Sequence, residues 1–346
     1  MNSLEKKFKT RLKKNELMKN HTTFRIGGPA KYFLEAKSGE ELVEAVGLAK
    51  DDGLDYAVIG KGSNILVSDQ GYNGLIIKMS NVGHRKLDDA RLLVDAGLDL
   101  KKLSQFAMEN GLTGVEWAMD VPGTVGGAIT MNAGCFGQEM KDYVTKVKYL
   151  NSRALDIKKS QNSNISNIAQ INSNNKFNKL IKGINNKQCK FGYRESIFKQ
   201  HPEWIILEAE LKLKKGDKKD IKQKIKEQLS QRSQKIPGKP SAGSIFKKYE
   251  ILKGEKLNEK LERILQKEHP EFIKNNYIPA GWLIEEAGLK GKIVGGAQIS
   301  EKHANFIVNL GKATAEQIVI LIAIIKQKVR NELGIQLQEE VMYLGF

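Results

Sequence analysis

The sequence has few cysteines, few aromatic residues and no hydrophobic run long enough for a membrane span. Its two cysteines, Cys135 and Cys189, stand in no CxxC pair, which excludes a disulfide framework and a cysteine-rich zinc site. The five histidines fall in no paired motif, so we expect no metal. The longest apolar run, residues 318–325, is too short to cross a bilayer, and the N-terminus lacks the apolar segment of a secretory signal. We therefore expect a cytoplasmic protein without a membrane partner.

Negative charge is scarce relative to positive charge, and the formal net charge is +17. Lysines concentrate near the N-terminus and in residues 212–226. A basic surface attracts nucleic acid, membranes or anionic small molecules. However, aromatic side chains and arginines are not interleaved with these lysines as a nucleic-acid-binding surface requires. We therefore interpret the lysines as solvated faces and expect no nucleic-acid partner.

Strand-like and helix-like segments alternate, which favours an α+β or α/β class. The first residues predict a polar helix or arm, and a lysine-rich helix carries an apolar stripe of Ile221, Ile225 and Leu229. Further helices are predicted from capping signals, and further strands from apolar runs. The predicted helices begin after Ser38, Asp99 and Thr314, and the predicted strands are 21–34, 56–60, 74–79, 91–97, 204–214 and 336–346.

Two glycine-rich segments are the most informative part of the sequence: GKGSNILVSD at 60–69 and DVPGTVGGAITMNAG at 120–134. Glycines clustered in otherwise strand-forming sequence indicate backbone that turns tightly or approaches a ligand closely. Backbone N–H groups without neighbouring side chains form a concave donor surface suited to a pyrophosphate. Neither segment fits the G-x-G-x-x-G pattern, and in the first segment Ile65 occupies the third glycine position. The P-loop pattern fails because no Gly-Lys-Ser/Thr follows at the required spacing. We therefore predict a dinucleotide cradle of another kind, built from both turns.

An arginine in FGYRES, residues 191–196, is a candidate ligand for an anionic substrate. Arg194 follows Tyr193, and a guanidinium binds carboxylate or phosphate with two parallel hydrogen bonds. The alternative is an intramolecular ion pair with Glu195 or Glu203. The residues alone leave both interpretations open.

A serine and a pair of glutamates are candidate acids. Ser244 in KPSAGSIFK is either a hydroxyl proton donor or a residue that binds its own backbone. It lies in no G-x-S-x-G motif, which argues against a hydrolase nucleophile. Glu339 and Glu340 lie in the predicted terminal strand, where alternation directs only one of them inward. An inward glutamate is a candidate acid with a perturbed pKa, but the pattern does not decide which one it is.

Taken together, these motifs resemble the UDP-N-acetylenolpyruvoylglucosamine reductase family, in the subgroup that lacks the substrate-capping tyrosine loop. Any single motif is weak, but eight in family order over most of the chain are specific. They are NHTTFRIGGPA (20–30), GKGSNILVSDQGYNG (60–74), GVEWAMDVPGTVGGAITMNAG (114–134), CKFGYRES (189–196), PSAGSIFK (240–247), AGWLIEEAGLKG (280–291), GGAQISEKHANFIVN (295–309) and the terminal LQEEVMYLG.

The resemblance implies an α+β, three-domain flavoprotein. Its vanillyl-alcohol-oxidase-type (PCMH-like) FAD-binding region is joined to an α+β substrate-binding domain, and we expect a monomer. The implied domains are 1–75 with the closing strand 333–346, 76–232 with an Asn-rich insertion at 151–187, and 233–332 with a charged insertion at 249–276.

The resemblance also implies the site residues. The catalytic set is Arg194, Ser244 and Glu340, and Tyr193 and Gln298 contribute to the substrate pocket. The implied FAD contacts are Arg25, Gly60, Lys61, Gly62, Ser63, Asn64, Ile65, Pro122, Gly123, Thr124, Gly126, Gly127, Asn132, Ala133 and Gly134.

The implied reaction is the reduction of UDP-N-acetylglucosamine enolpyruvate to UDP-N-acetylmuramate in peptidoglycan precursor synthesis. NADPH reduces the flavin at N5, and the hydride then passes to the enolpyruvyl methylene carbon. Arg194 and Glu340 stabilise the enolate, and Ser244 donates the proton to C2. The sequence does not distinguish NADPH from NADH.

Some residues depart from the family pattern, and two other functions remain alternatives. Lys248 stands where the family usually has Asn, and residues 234–241 are altered just before the serine. One alternative is another FAD-dependent oxidase of the same fold acting on a small alcohol or ether. The other is a basic nucleic-acid-binding protein with a degenerate nucleotide fold, which would bind no flavin.

Overall fold

The computed structural model describes residues 2–155 and 180–346. The helices are α1 (Ser3–Phe8), α2 (Gly39–Asp51), α3 (Leu100–Glu109), α4 (Val125–Thr130), α5 (Ile197–Gln200), α6 (Lys218–Lys235), α7 (Glu259–Glu268), α8 (Pro270–Lys274), α9 (Ala280–Glu286) and α10 (Ala315–Leu333). Short 3-10 turns cover Lys9–Arg11, Met18–Asn20, Glu116–Asp120, Met140–Asp142 and Lys187–Cys189.

The strands are β1 (Lys13–Leu17), β2 (Pro29–Ala36), β3 (Tyr56–Ile59), β4 (Ile65–Val67), β5 (Tyr72–Met79), β6 (His84–Lys86), β7 (Arg91–Asp95), β8 (Leu112–Thr113), β9 (Gly134–Cys135), β10 (Gln138–Glu139), β11 (Val144–Asn151), β12 (Ile181–Asn185), β13 (Trp204–Lys212), β14 (Lys214–Lys215), β15 (Tyr249–Glu250), β16 (Tyr277–Ile278), β17 (Ile293–Val294), β18 (Ala297–Ile299), β19 (Ile307–Asn309) and β20 (Met342–Leu344). Most of the Asn-rich insertion predicted at 151–187 lies outside the described residues, but its last part forms β12.

The chain divides into two compact units, each assembled from separate stretches of sequence. Unit 1 is Met1–Glu16, Ala30–Lys61 and Asn73–Arg232, and unit 2 is Leu17–Pro29, Gly62–Tyr72 and Ser233–Phe346. The three domain ranges drawn from the resemblance stay a prediction.

Unit 1 contains two sheets. One has the order β1-β2-β5-β3 with β3 parallel to β5, and the other is antiparallel in the order β12-β11-β13-β7-β6. Helices α1 and α2 cover the first sheet, where the N-terminal segment is packed rather than a free polar arm, because Leu4 and Phe8 are buried. The Asp52 carboxylate accepts from the N–H groups of Ser3 and Leu4 at the start of α1. The second sheet shares a core with α3, α4 and the buried Trp117.

Unit 2 is built around α9, α10 and the antiparallel sheet β17-β18-β19. Its core includes Phe24 and Leu66 from early in the chain together with residues 242–341. The last strand, β20, pairs in parallel with β4, with Met342 opposite Ile65. The predicted closing strand, 336–346, is thus confirmed only for Met342–Leu344. Glu339 and Glu340 precede the observed strand.

Helix α10 confirms the predicted capping box at its N-terminus. The Thr314 hydroxyl accepts from the Gln317 N–H, and the Gln317 side chain accepts from the Thr314 N–H. The Asp69 carboxylate accepts from the next two donors, the N–H groups of Ala315 and Glu316. An aspartate of the first glycine motif therefore joins that motif to α10 within unit 2.

Residues 120–134 contain a helix despite their strand-forming composition, and residues 21–34 form only part of the predicted strand. The first segment contains helix α4, because Thr124 caps it through the Gly127 N–H and because Gly126 lets the helix pack on Ala96. In the second, only residues from Pro29 onward are extended, since the Thr22 hydroxyl donates to the Ile26 carbonyl and closes a turn. Local β-branched composition suggested strands, and tertiary contacts and side-chain caps overrode it.

We expect Thr314→Ala to lower the free energy of unfolding by about 1 kcal/mol, because the Gln317 N–H loses its capping acceptor. Urea unfolding followed by circular dichroism measures this change. Thr314→Ser keeps the hydroxyl and is the control. Equal losses in both variants would mean that the methyl group, not the cap, carries the effect.

Candidate active site

The two glycine turns meet at Gly60 and Thr124, both in unit 1. Gly60 follows strand β3, and a Cβ placed on it would lie 2.4 Å from the Thr124 hydroxyl oxygen. Any side chain at this position would push the turns apart. Glycine is therefore needed here for the close approach of the two turns.

The backbone of both turns offers unused hydrogen-bond donors. Within residues 2–155 and 180–346, no acceptor is found for the N–H groups of Gly62, Ser63, Gly123 and Thr124. Buried backbone N–H groups are nearly always paired in folded proteins, with protein, water or a ligand. Within unit 1, the Gly123 and Thr124 donors therefore fit the oxygens of a pyrophosphate such as that of FAD.

Two glycines of the second turn are required by packing within the chain, and a third is not. A Cβ at Gly126 would lie 3.0 Å from the Ala96 Cβ, and one at Gly134 would lie 2.2 Å from the Gln138 carbonyl oxygen, so both serve packing within the chain. The Gly126 N–H is also used, because it donates to the Ala96 carbonyl. Gly127 is exposed, and its Cβ would meet only the Thr124 hydroxyl, at 3.6 Å. Glycine weakens a helix, and no contact among the described residues requires it at Gly127.

The other predicted FAD contacts lie on or beside these turns. Lys61 pairs with Asp99, whose other carboxylate oxygen caps α3. Arg25 has a left-handed backbone with φ 55°, and Asn309 donates to its carbonyl. Ile65 begins β4, Pro122 is exposed and Ala133 is half-buried.

Asn132 is completely buried, and its side chain is engaged within the chain. Its amide nitrogen donates to the Gly192 carbonyl at 2.8 Å and to Glu139 at 3.0 Å, and its oxygen accepts from the Lys141 N–H at 3.0 Å. It therefore anchors the turn that contains Arg194 to the glycine-rich segment.

Arg194 occupies a tight turn in unit 1 with a left-handed backbone, φ 56°. Its guanidinium lies 5.2 Å from the ring centre of Tyr193, and its carbonyl accepts from the Lys199 ammonium at 3.1 Å. Lys199 also pairs with Glu195 at 2.8 Å, while Glu203 lies near Arg153 and His201. Both glutamates considered as partners of Arg194 thus have other cationic neighbours.

Ser244 and Glu340 are brought together in unit 2. The Ile245 carbonyl accepts from the Glu340 N–H at 2.7 Å, so the residue after Ser244 is bonded directly to Glu340. The Glu340 carbonyl in turn accepts from the Asn64 side chain at 3.1 Å. Asn64 is therefore hydrogen-bonded to Glu340, and Glu340 to the residue that follows Ser244.

The structure distinguishes the two terminal glutamates. The Glu339 carboxylate binds the Lys326 ammonium at 2.7 Å and the Tyr343 hydroxyl. It faces a cleft of about 330 Å³ beside α10. Glu339 is therefore bound within this surface cluster.

Two further positions flank this part of unit 2. Gln298 lies in β18, and its side chain donates to the Gly291 carbonyl at 3.3 Å. The Lys248 ammonium, at the position where the family usually has Asn, lies 4.6 Å from the ring centre of Tyr277 and 3.6 Å from Glu250.

Sequence reasoning missed the residues that support the candidate catalytic side chains. Lys199 follows the 189–196 motif and Asn305 lies within the 295–309 motif, but no local pattern shows that they bind backbone near Arg194 and Ser244. Cys189, which opens the Arg194 motif, is inert, because burial raises the pKa of its thiol to about 12. In the described part of the chain, no group of three His, Cys, Asp or Glu side chains could hold a metal. No helix among those residues is both long and apolar enough to cross a membrane.

Comparison with known proteins shows two matching family models. One, described as the FAD binding domain, matches residues 30–154. The other, described as the C-terminal domain of UDP-N-acetylenolpyruvoylglucosamine reductase, matches residues 231–344, nearly all in unit 2.

Curated relatives match over almost the whole chain. The UDP-N-acetylenolpyruvoylglucosamine reductase of Caldanaerobacter subterraneus subsp. tengcongensis is 36% identical, covering 96% of this chain and 93% of that one. The enzyme of that name from Carboxydothermus hydrogenoformans is 36% identical, covering 99% and 97%. Among solved structures, UDP-N-acetylenolpyruvylglucosamine reductase from Thermus caldophilus is 30% identical with a TM-score of 0.67, covering 95% of this chain and 97% of that one.

We expect Gly127→Ala to weaken FAD binding while stabilising the apoprotein by about 0.5–1 kcal/mol, because alanine favours the helix but its methyl group occupies ligand space. The flavin-to-protein ratio and FAD titration of the apoprotein measure binding, and urea unfolding measures stability. Gly238→Ala is the control, since its Cβ would meet nothing within 4 Å. Wild-type FAD affinity in Gly127→Ala would remove the ligand explanation for this glycine.

Proposed function

The chain belongs to the UDP-N-acetylenolpyruvoylglucosamine reductase family, and we propose that it reduces UDP-N-acetylglucosamine enolpyruvate to UDP-N-acetylmuramate with electrons from NADPH. It is a flavoprotein oxidoreductase of α+β fold with an FAD binding domain. The observation that carries the proposed chemistry is the hydrogen bond from the Glu340 N–H to Ile245, which brings Glu340 beside the Ser244 segment.

FAD, when bound, would supply the transfer of hydride from NADPH to the enolpyruvyl methylene carbon. The chain would hold the cofactor through the N–H groups of Gly123 and Thr124 in unit 1, with Gly127 leaving room for its approach. The unused donors at Gly123 and Thr124 support this assignment.

Arg194 and Glu340 stabilise the negative charge that develops on the substrate carboxylate and the adjacent carbon. A guanidinium does this by charge and by paired hydrogen bonds. A protonated glutamic acid does it by donating one hydrogen bond. The left-handed turn at Arg194, braced by Lys199, supports a fixed direction for this guanidinium. Tyr193, whose ring lies beside the guanidinium, and Gln298 are assigned to substrate binding.

Ser244 donates the proton that completes the reduction at C2. A hydroxyl is a weak acid, so it transfers a proton efficiently only to a strongly basic carbon such as that of an enolate. The order of events therefore follows from the chemistry: hydride adds first, Arg194 and Glu340 hold the resulting charge, and Ser244 then protonates it.

This activity belongs to peptidoglycan precursor synthesis in the cytoplasm, and we propose that the protein acts there as a monomer. The relatives' names support the substrate. The excess of positive charge on the chain favours the approach of a UDP-sugar, whose diphosphate is anionic.

The purified protein should show flavin absorbance that bleaches anaerobically with NADPH and returns on addition of UDP-N-acetylglucosamine enolpyruvate. Bleaching and recovery together identify cofactor, donor and acceptor in one experiment. NADH in place of NADPH is the control for donor preference. Bands that bleach but return only with oxygen would favour the oxidase, and a colourless protein that FAD cannot reconstitute would overturn the proposal.

We expect Ser244→Ala to slow reoxidation of the reduced flavin by the enolpyruvyl substrate by about 10²–10⁴-fold, because the proton donor is lost. Reduction by NADPH should stay near the wild-type rate, since no proton from Ser244 is needed there. Stopped-flow absorbance measures both half-reactions, with Ser241→Ala as the matched control. Equal losses in both half-reactions would refute the assigned role.

A further inference from the structure

Asn305 is a buried polar residue outside the candidate catalytic set. It is 7% exposed and precedes Phe306, which forms a β-bridge with Ser244. Its side-chain oxygen accepts from the Phe246 N–H at 3.0 Å, and its side-chain nitrogen donates to the Phe246 carbonyl at 2.9 Å. The amide therefore does for Phe246 what the backbone of a neighbouring strand does in a sheet.

The backbone of Asn305 holds the intervening residue as well. The Ile245 N–H donates to the Asn305 carbonyl at 2.8 Å. One residue thus makes three hydrogen bonds to the two residues that directly follow Ser244. Three bonds from a single buried residue leave this short segment little freedom to shift along or across the sheet.

The opposite side of the same segment is held by the residues around Glu340. The Ile245 carbonyl accepts from the Glu340 N–H at 2.7 Å, and Phe246 forms a β-bridge with Glu339. The segment is therefore clamped between Asn305 on one side and the approach to β20 on the other. A change at Asn305 would alter the placement of Ser244 relative to Glu340.

His303 helps to hold Asn305 itself in place. Its Nδ1 accepts from the Asn305 N–H at 3.2 Å. Burial, with a smaller contribution from Lys235, lowers the pKa of His303, so the ring stays neutral and Nδ1 keeps its lone pair near neutral pH. Both the backbone and the side chain of Asn305 are therefore fixed.

An apolar residue could fill the same volume but could not replace these bonds. Leucine at this position would leave the N–H and carbonyl of Phe246 buried without partners, which is costlier than losing a solvent-exposed bond. Aspartate is close in shape and keeps the acceptor for the N–H, but it has no donor for the carbonyl when ionised. These differences make the contribution of each bond separable.

We propose that Asn305 is the positioning residue for Ser244, fixing the backbone that carries its hydroxyl beside Glu340. The inference rests on the proposed function, in which Ser244 protonates the substrate. Proton transfer requires the donor within hydrogen-bond reach of its target, about 2.6–3.2 Å. A displacement of about 1 Å costs roughly 100-fold in rate, so a loosened clamp acts on catalysis without removing the hydroxyl.

The test uses the FAD-loaded full chain carrying Asn305→Asp. Reoxidation of the flavin by the enolpyruvyl substrate should slow by about 10- to 100-fold, while reduction by NADPH should change less than about twofold. In a Ser244→Ala background, Asn305→Asp should cost less than about twofold more, because Asn305 acts through Ser244. If Asn305 had a merely structural role, Asn305→Asp would lower the rates of both half-reactions, and the size of this loss would not depend on Ser244.

Amide hydrogen exchange measures how firmly the segment that follows Ser244 is held, independently of activity. Peptides covering residues 243–248 should exchange faster in Asn305→Asp than in wild type. If the aspartate variant folds poorly, Asn305→Ser replaces it, because the serine side chain is too short to reach Phe246 and introduces no buried charge. We expect Asn305→Ser also to slow reoxidation while leaving reduction by NADPH near the wild-type rate. Asn258→Ala is the control, because it removes the cap of α7 in the same unit without touching the Ser244 segment.

The outcomes separate the inference from the proposed function. Unchanged exchange at 243–248 in both Asn305 variants, or an undiminished penalty in the Ser244→Ala background, would overturn the positioning role while leaving the proposed function intact. Wild-type reoxidation in Ser244→Ala alone would overturn the proton-donor role, and the catalytic part of this inference with it. Both would be supported if Asn305→Asp slows reoxidation in the wild-type background but not in the Ser244→Ala background, and if residues 243–248 exchange faster.

Discussion

The pairing of the last strand with a strand from the first quarter of the chain is the constraint on which unit 2 depends. Strand β20 lies in parallel beside β4, and Asn64, just before β4, donates to the Glu340 carbonyl. This contact closes a very long loop, and the entropy lost in closing it must be offset by other contacts. The buried core of α9 and α10, which includes Phe24 and Leu66, makes those contacts.

The same closure determines which residues share a site. Once β20 is in place, the Glu340 N–H reaches Ile245, and the segment containing Ser244 is held between Glu340 and Asn305. Ser244 and Glu340, the residues of unit 2 that we propose for catalysis, are thus held through backbone hydrogen bonds. Such bonds position reacting groups well, because they leave few alternative arrangements of similar energy.

Helices marked by a capping side chain could be predicted from the sequence, because a cap is a local signal. Ser38, Asp99 and Thr314 each cap the helix expected to follow them. The segment 120–134 could not be predicted in this way, because its β-branched residues suggest a strand while its helix depends on packing against Ala96. Leu229, expected in an apolar stripe, is 37% exposed, since the stripe of α6 is buried only at Ile221 and Ile225.

The sequence by itself determined the family, because ordered motifs over most of the chain are specific, and with the family the FAD binding domain and the residues worth testing. Only the tertiary structure decided what each of these residues touches. It separated Glu339, bound to Lys326, from Glu340, and it separated the packing glycine Gly126 from Gly127, where a side chain would meet almost nothing. The physical reason is that hydrogen bonds and steric contacts between distant segments exist only once the chain has folded.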